Sequence, residues 1–151
     1  MIRMTRLTDY GIMLLTHFVR DGGQKIHSAR ELAVNSKVPQ PTVSKIFKLL
    51  ARNGLLVAHR GVKGGFTLAR KPDEITVAEI VKAIEGPISF TECSAHPGKC
   101  EVERLCIVRS NWRRINDVVV DALRRITLAD MARPFAFVQR HSLELQKSVS
   151  P

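Results

Sequence analysis

Between Thr8 and Arg20 the apolar residues fall on most sides of a helical period: Tyr10, Ile12, Met13, Leu14, Leu15, Phe18 and Val19. This pattern predicts a helix buried against more than one neighbour, stopped by Asp21-Gly22-Gly23. Ser28 followed by Glu31 has the spacing of a capping box and predicts a short helix through Leu32 and Ala33 toward Asn35. Lys37 stands in the turn that follows, where glycine is the usual residue. Pro41 suits the first turn of a third helix, on which Val43, Ile46, Phe47 and Leu50 share one face until Asn53 and Gly54 close it. Its other face carries Thr42, Ser44, Lys45, Lys48 and Arg52. Two strand-like runs, Leu55 to His59 and Phe66 to Leu68, flank the glycine-rich stretch from Arg60 to Gly65, the pattern of a hairpin with a basic tip.

Beyond Lys71-Pro72-Asp73, a second capping-box pair, Thr76 and Glu79, opens a helix carrying Val77, Ile80, Val81 and Ile84, which stops at Gly86-Pro87. Residues 88–107 have no period and hold every cysteine. From Val108 the apolar positions Trp112, Ile115, Val119, Ala122 and Ile126 alternate steps of three and four, a heptad stripe on one long helix that needs a partner helix. The pattern dissolves after Arg133. The expected fold is mainly α with a small β-hairpin: a winged helix-turn-helix followed by a long C-terminal dimerisation helix. The expected organisation is a DNA-binding domain over residues 1–72, a cluster-binding loop with dimerisation helices over 73–132, and a flexible tail over 133–151.

Charge gives the first half its partner. The net charge is +10, and residues 1–72 hold 13 Lys or Arg against Asp9, Asp21 and Glu31, while residues 73–151 balance 11 against 11. A surplus confined to one half is the footprint of a polyanion, because phosphate neutralisation by Lys and Arg releases condensed counterions. No long apolar run, signal-peptide core or basic amphipathic end helix is present. The expected location is the cytoplasm, with double-stranded DNA as partner and no membrane. In a winged helix-turn-helix the third helix enters the major groove, so Gln40, Thr42, Ser44 and Lys45 are candidates for base contact and Lys48 for phosphate. Arg60 and Lys63 on the wing, and Ser28 and Arg30 at the start of the second helix, are candidates for the flanking backbone or minor groove. Taken one at a time, each is equally a solvated surface residue.

Cys93, Cys100 and Cys106 are separated by six and five residues. An odd number of thiols in one stretch argues against a secreted disulfide framework, and soft thiolates suit an iron-sulfur cluster, zinc or copper. The absence of a C-x-x-C knuckle shifts weight from zinc toward a cluster. A thiol-redox switch is a rival, buried structural thiols are disfavoured by the polar surroundings, and no base or substrate pocket marks a catalytic cysteine, so the chain is not expected to be an enzyme. With three cysteines a fourth ligand is required, and Asp9, Glu92, His96, Glu101 and Glu103 are available. The lone histidines His17, His27, His59 and His141 are read as solvated.

The opening Arg6-Leu7-Thr8-Asp9-Tyr10, the wing from His59 to Arg70, Ile84-Glu85-Gly86-Pro87 and the cysteine triplet together resemble the IscR and NsrR type (Rrf-two type) of bacterial iron-sulfur winged-helix regulators, over residues 1–132. Leu7-Thr8-Asp9-Tyr10-Gly11, Pro41-Thr42-Val43-Ser44-Lys45, Thr91-Glu92-Cys93 and Asn111-Trp112-Arg113-Arg114-Ile115-Asn116 are most similar to the branch that regulates the SUF iron-sulfur assembly operon. The resemblance implies a homodimer with paired long helices, each cluster lying near the reading head of the opposite subunit. It implies a 2Fe-2S or 4Fe-4S cluster held by Cys93, Cys100 and Cys106. Some members add a histidine three residues after the last cysteine, where this chain has Arg109; others use an aspartate of the first helix, which matches Asp9, supplied by the partner chain.

Overall fold

The computed structural model describes residues 4–133, apart from 92, 93, 95 and 97. Its elements run in the order α1 (Arg6–Arg20), α2 (Ala29–Ser36), α3 (Gln40–Arg52), β1 (Leu56–His59), β2 (Gly65–Leu68), a 3-10 turn (Pro72–Glu74), α4 (Val77–Glu85), α5 (Arg109–Arg124) and α6 (Leu128–Met131). The chain is mainly helical, with one two-stranded antiparallel sheet in which Leu56 faces Leu68 and His59 faces Gly65. The tail expected over 133–151 lies, from residue 134 on, outside the described residues.

The apolar faces read from the sequence meet in one core. Leu14, Leu15 and Phe18 of α1 pack with Val43, Ile46, Phe47 and Leu50 of α3, all fully buried. Phe47 is the hinge of an aromatic chain, its ring centroid 5.7 Å from Phe18 and 5.0 Å from Phe66. These edge-on contacts bind the first helix to the wing through α3. The core does not stop where the charge surplus stops: Ile75, Ile80, Ala83 and Leu128 belong to the same cluster. Burying these faces is what holds the short helices, since helices of this length are marginal in isolation.

Local chemistry sets the boundaries. Thr76 and Glu79 form the reciprocal capping box expected at α4, Thr76 accepting from the Glu79 N–H and the Glu79 carboxylate accepting from the Thr76 N–H at 2.9 Å. At α2 only half of the expected box forms. Ser28 Oγ accepts from the Glu31 N–H at 3.0 Å, but the Glu31 carboxylate turns to His27 and Lys25. Lys37 closes α2 with φ at 59°, a left-handed residue without glycine's freedom. A methyl group on Gly11 would strike Ile84, so this glycine is what lets α1 and α4 approach.

Three features were not read from the sequence. Glu85, at the end of α4, accepts hydrogen bonds from Thr5 N–H at 3.1 Å, from the Thr5 hydroxyl, and from the buried Thr8 hydroxyl, tying the start of α1 to α4. Burial works to raise the Glu85 carboxyl, and the hydrogen bonds from Thr5 and Thr8 outweigh it, holding it below its ordinary range. The long helix ends at Arg124, so Ile126 of the expected stripe lies beyond it; its carbonyl instead accepts from the Val77 N–H at 2.8 Å. A third capping box, Thr127 with Asp130, then opens α6, which returns Leu128 to the core.

Candidate nucleic-acid interface and cysteine loop

α3 is amphipathic in the sense the sequence required. Its buried side is Val43, Ile46, Phe47 and Leu50, which leaves Gln40, Lys45, Lys48 and Arg52 exposed and Thr42 and Ser44 half-buried. Pro39 precedes the helix, and its carbonyl accepts from the Thr42 and Val43 N–H groups at 2.9 and 3.1 Å. Arg30 is exposed one residue into α2, next to the cap Ser28, whose oxygen is engaged with Glu31 while its hydroxyl proton is free for a further acceptor.

The wing is held close to this pair of helices by backbone. His27 and Phe66 exchange N–H to carbonyl hydrogen bonds, each at 2.9 Å, so the base of the hairpin continues onto the segment entering α2. A Cβ on Gly65 would come within 2.5 Å of the His27 carbonyl, and one on Gly64 would collide with the His59 carbonyl. The two glycines are therefore steric requirements of this junction. His27 corrects the solvated reading: it is 1% exposed, with Phe18 edge-on at 4.9 Å, Asp21 at 3.1 Å from Nε2 and Glu31 at 3.3 Å from Nδ1. His59 is also engaged, its Nε2 lying 2.9 Å from Thr67 Oγ1 across the hairpin.

Some cations outside this face are paired within the chain, while others among the described residues, such as Arg104, Arg114 and Arg125, are not. Lys25, Arg70, Arg109, Arg113 and Arg124 each have a carboxylate partner. Among the described residues none of Arg30, Lys45, Lys48, Arg52, Arg60 and Lys63 does. A run of exposed cations with no anion of the chain's own is a surface prepared for an external one.

In the cysteine loop, Cys100 and Cys106 are free, half-buried thiols, and Cys93 and Glu92 lie outside the described residues. Successive turns carry the loop, with Glu103 N–H donating to Cys100 and Arg109 N–H to Cys106. Glu103 is its anchor. At 6% exposure its carboxylate accepts from the Gly98 N–H at 2.5 Å, pairs with Arg109 at 2.5 Å and lies 4.0 Å from Arg113. That occupation removes Glu103 from the free donors, while His96 and Glu101 are exposed. Among the described residues no three His, Cys, Asp or Glu side chains are grouped to hold a metal ion.

Of the open grooves along α5, two bear on the candidate ligands. One, about 640 Å³, is lined by Cys106 with Glu103, Arg109 and Arg113 at the start of the helix. The other, about 550 Å³ and mostly apolar, is lined by Asp9 and Ile12 with Leu123, Ile126 and Met131 at its end. Cys106 and Asp9 thus lie at opposite ends of a helix about 24 Å long at 1.5 Å per residue. No residue of α5 is buried: Trp112, Ile115 and Val118 stand exposed, as do Leu105 and Ile107 before it. No helix among the described residues is long and apolar enough to cross a membrane.

Comparison with known proteins places these observations. The family model for Rrf2, an iron-dependent transcriptional regulator, matches residues 4–134. The HTH-type transcriptional regulator CymR of Bacillus subtilis (strain 168) is 30% identical over 125 residues, covering 82% of this chain and 84% of its own length. The HTH-type transcriptional regulator IscR of Pectobacterium carotovorum subsp. carotovorum (strain PC1) is 30% identical over 89 residues, 59% of this chain and 54% of its own. The solved structure of CymR, described as the global cysteine regulator of B. subtilis, superposes with a TM-score of 0.67 at 28% identity, covering 88% of this chain and 98% of that one.

Proposed function

The chain belongs to the Rrf2 family of transcriptional regulators, and from that premise we propose that it binds double-stranded operator DNA as a homodimer and that an iron-sulfur cluster in its cysteine loop sets the affinity. The observation that carries the DNA half is the face made by α2, α3 and the wing, where Arg30, Lys45, Lys48, Arg60 and Lys63 stand exposed and, among the described residues, have no carboxylate partner. Gln40, Thr42, Ser44 and Lys45, in the first turns of α3, read base edges. Lys48 with Ser28 and Arg30 fixes the register on phosphate, and Arg60 and Lys63 hold the flanking minor groove. The division of labour follows: residues 1–72 read DNA, residues 73–132 sense and dimerise.

The exposed Trp112, Ile115 and Val118 on α5 support the dimer, because a helix with no buried residue has its apolar surface available to a second copy. The donor set fits a cluster. Cys100 and Cys106 are free and reachable, thiolate is the soft ligand that iron-sulfur clusters use, and Cys93 completes three. Asp9 is the fourth ligand. Its separation from Cys106 along α5 favours donation across the dimer, where a groove bearing Asp9 meets the partner's loop. Bound there, the 2Fe-2S or 4Fe-4S group supplies a centre that responds to oxidation and to iron supply. The chain's own part is mechanical: Glu103 and Arg109 tie the loop to α5, so ordering of the loop shifts the helix that spaces the two reading heads. The motifs shared with the SUF branch make iron-sulfur assembly genes the target, and a DNA-binding regulator works in the cytoplasm.

Single Cys93→Ala, Cys100→Ala and Cys106→Ala variants test the reading. Each loses the visible chromophore of the anoxically purified protein and changes operator affinity; unchanged binding in all three removes the cluster from the mechanism. A second reading keeps the DNA half and uses the cysteines as a thiol-redox or zinc sensor. The half-buried free thiols favour it, as does the likeness to a protein described as a cysteine regulator. Zinc without acid-labile sulfide, or a disulfide that alone switches binding, is its signature.

A further inference from the structure

Half of the large apolar side chains exposed among the described residues fall on the cysteine loop and α5, where a second copy would cover them. Val62 belongs to neither. It sits at the tip of the wing at 107% relative exposure, between Arg60 and Lys63, which have no carboxylate partner among the described residues. The tip is not a loose loop. The Gly64 N–H donates to the Gly61 carbonyl at 3.0 Å, Gly61 has φ at 114°, and the steric requirement for glycine at 64 and 65 fixes the strands beneath. His59 against Thr67 and His27 against Phe66 brace the base. A β-branched side chain with a stiff χ1 is thus presented at the apex of a rigid hairpin, with a cation on either side.

We propose that Val62 is a base-composition reader: with Arg60 and Lys63 on the phosphates of the two strands, its isopropyl group packs against the sugars and floor of the minor groove flanking each half-site and favours A·T pairs there. The inference rests on the DNA-binding reading above and adds to it a residue and a preference. The physical reason is local. The floor of the minor groove at G·C carries the exocyclic amino group of guanine, and an apolar group seated on it strips that donor of water without replacing the hydrogen bond. At A·T no donor stands there, and the narrower, more negative groove also favours the two cations.

The test uses the full-length protein and duplexes selected from a randomised pool. The parent protein enriches A·T pairs in the minor-groove segments outside both half-sites. Placing G·C in those segments weakens binding about fivefold, the smaller end of what one unfavourable pair costs. Inosine·C pairs, which lack the amino group, restore it. In Val62→Asn, similar in size but able to hydrogen-bond, the G·C penalty falls below about twofold, while the melting temperature stays that of the parent because the side chain is exposed in the free protein. Equal responses of parent and Val62→Asn to the three flanks overturn the proposal. A G·C penalty that inosine does not relieve also overturns it, assigning the preference to groove shape. If the parent enriches no DNA at all, the DNA-binding reading falls and takes this inference with it.

Discussion

The reading head and the segment from the cysteine loop through α5 distribute the same kinds of residue differently. The head has a closed apolar core with cations on its outside: Phe18, Phe47 and Leu50 are fully buried while Lys45, Lys48 and Arg60 face solvent. Around α5 no helix residue is buried. Trp112, Ile115, Leu105 and Ile107 are exposed, and Arg109 is tied to the buried Glu103 and Arg124 to Asp121. The first region is complete as a fold and unfinished as a binding surface. The second leaves its apolar side chains exposed in the single chain, and on the function proposed above a second copy and a metal centre would complete it. On that proposal the DNA surface sits on the well-packed part and the sensing event falls in the part with least internal support.

The sharpest way to break the comparison is to shave one aromatic from each region. Phe47→Ala removes the ring that links Phe18 to Phe66 and costs about 3–5 kcal/mol, enough to unfold most of a marginal domain. Trp112→Ala, at a side chain 40% exposed, changes the stability of the isolated subunit by about 0.5 kcal/mol or less and shifts the monomer-dimer equilibrium toward monomer. Urea denaturation and sedimentation separate the two effects; a Trp112→Ala subunit that unfolds like Phe47→Ala, with its dimer intact, would place α5 in the core.

A smaller effect sharpens the reading surface. Arg60→Ala weakens operator binding and lowers the salt slope of the affinity by about 1, as loss of one phosphate-neutralising cation requires, with no change in stability. Arg70→Ala, whose guanidinium is held by Glu79 at 2.6 Å, leaves the slope unchanged. Fluorescence anisotropy titrations over a range of salt concentrations distinguish them, and equal slopes for the two variants would deny Arg60 its place in the interface.

The smallest effect is in the acid limb of stability. Glu85 and Glu79 are both held below the ordinary glutamate range; at Glu79 partial burial works the other way and is outweighed by hydrogen bonds from Thr76 and Arg70 and by the Arg70 charge. A carboxylate with a depressed folded pKa contributes stability that is fully present above the unfolded value of about 4.3 and is lost as pH falls through the folded value. Glu85→Gln therefore flattens the fall of stability below about pH 4.3 without changing it in kind, since Glu79 retains its share. Thermal melts between neutral and acid pH measure this, and an acid limb identical to the parent's would mean the Thr5 and Thr8 bonds carry no net preference for the charged carboxylate.

The fold was legible where a local pattern records a local cause. Repeating apolar positions located α1, α3 and α4, Asn53-Gly54 and Gly86 marked their ends, and the glycine-rich stretch marked the wing. What escaped was pairing over distance. Nothing near Glu85 announces that its carboxylate meets Thr5, eighty residues earlier, and nothing near His27 announces its burial, which depends on Phe18 and the returning wing. The short α6 did carry a signal, Thr127 three residues before Asp130, but it was hidden by extending the α5 stripe to Ile126. Of the DNA candidates, the structure leaves Gln40, Lys45, Lys48, Arg60 and Lys63 exposed and Thr42 and Ser44 half-buried, as reading residues need to be. The cysteines were legible only as candidate ligands, three soft donors in one segment, with no geometry to be read for them. Cys93 is outside the described residues and Asp9 is at the far end of α5 within one chain.

The most direct test of a metal centre governing the DNA surface is iron and acid-labile sulfide analysis of protein purified without oxygen, joined to operator titration before and after the centre is removed by a chelator and oxidant. The account predicts a coloured dimer with iron and sulfide in equal amounts and an operator affinity that changes on removal and returns on reconstitution. A colourless, iron-free dimer that binds and releases its operator normally would contradict it.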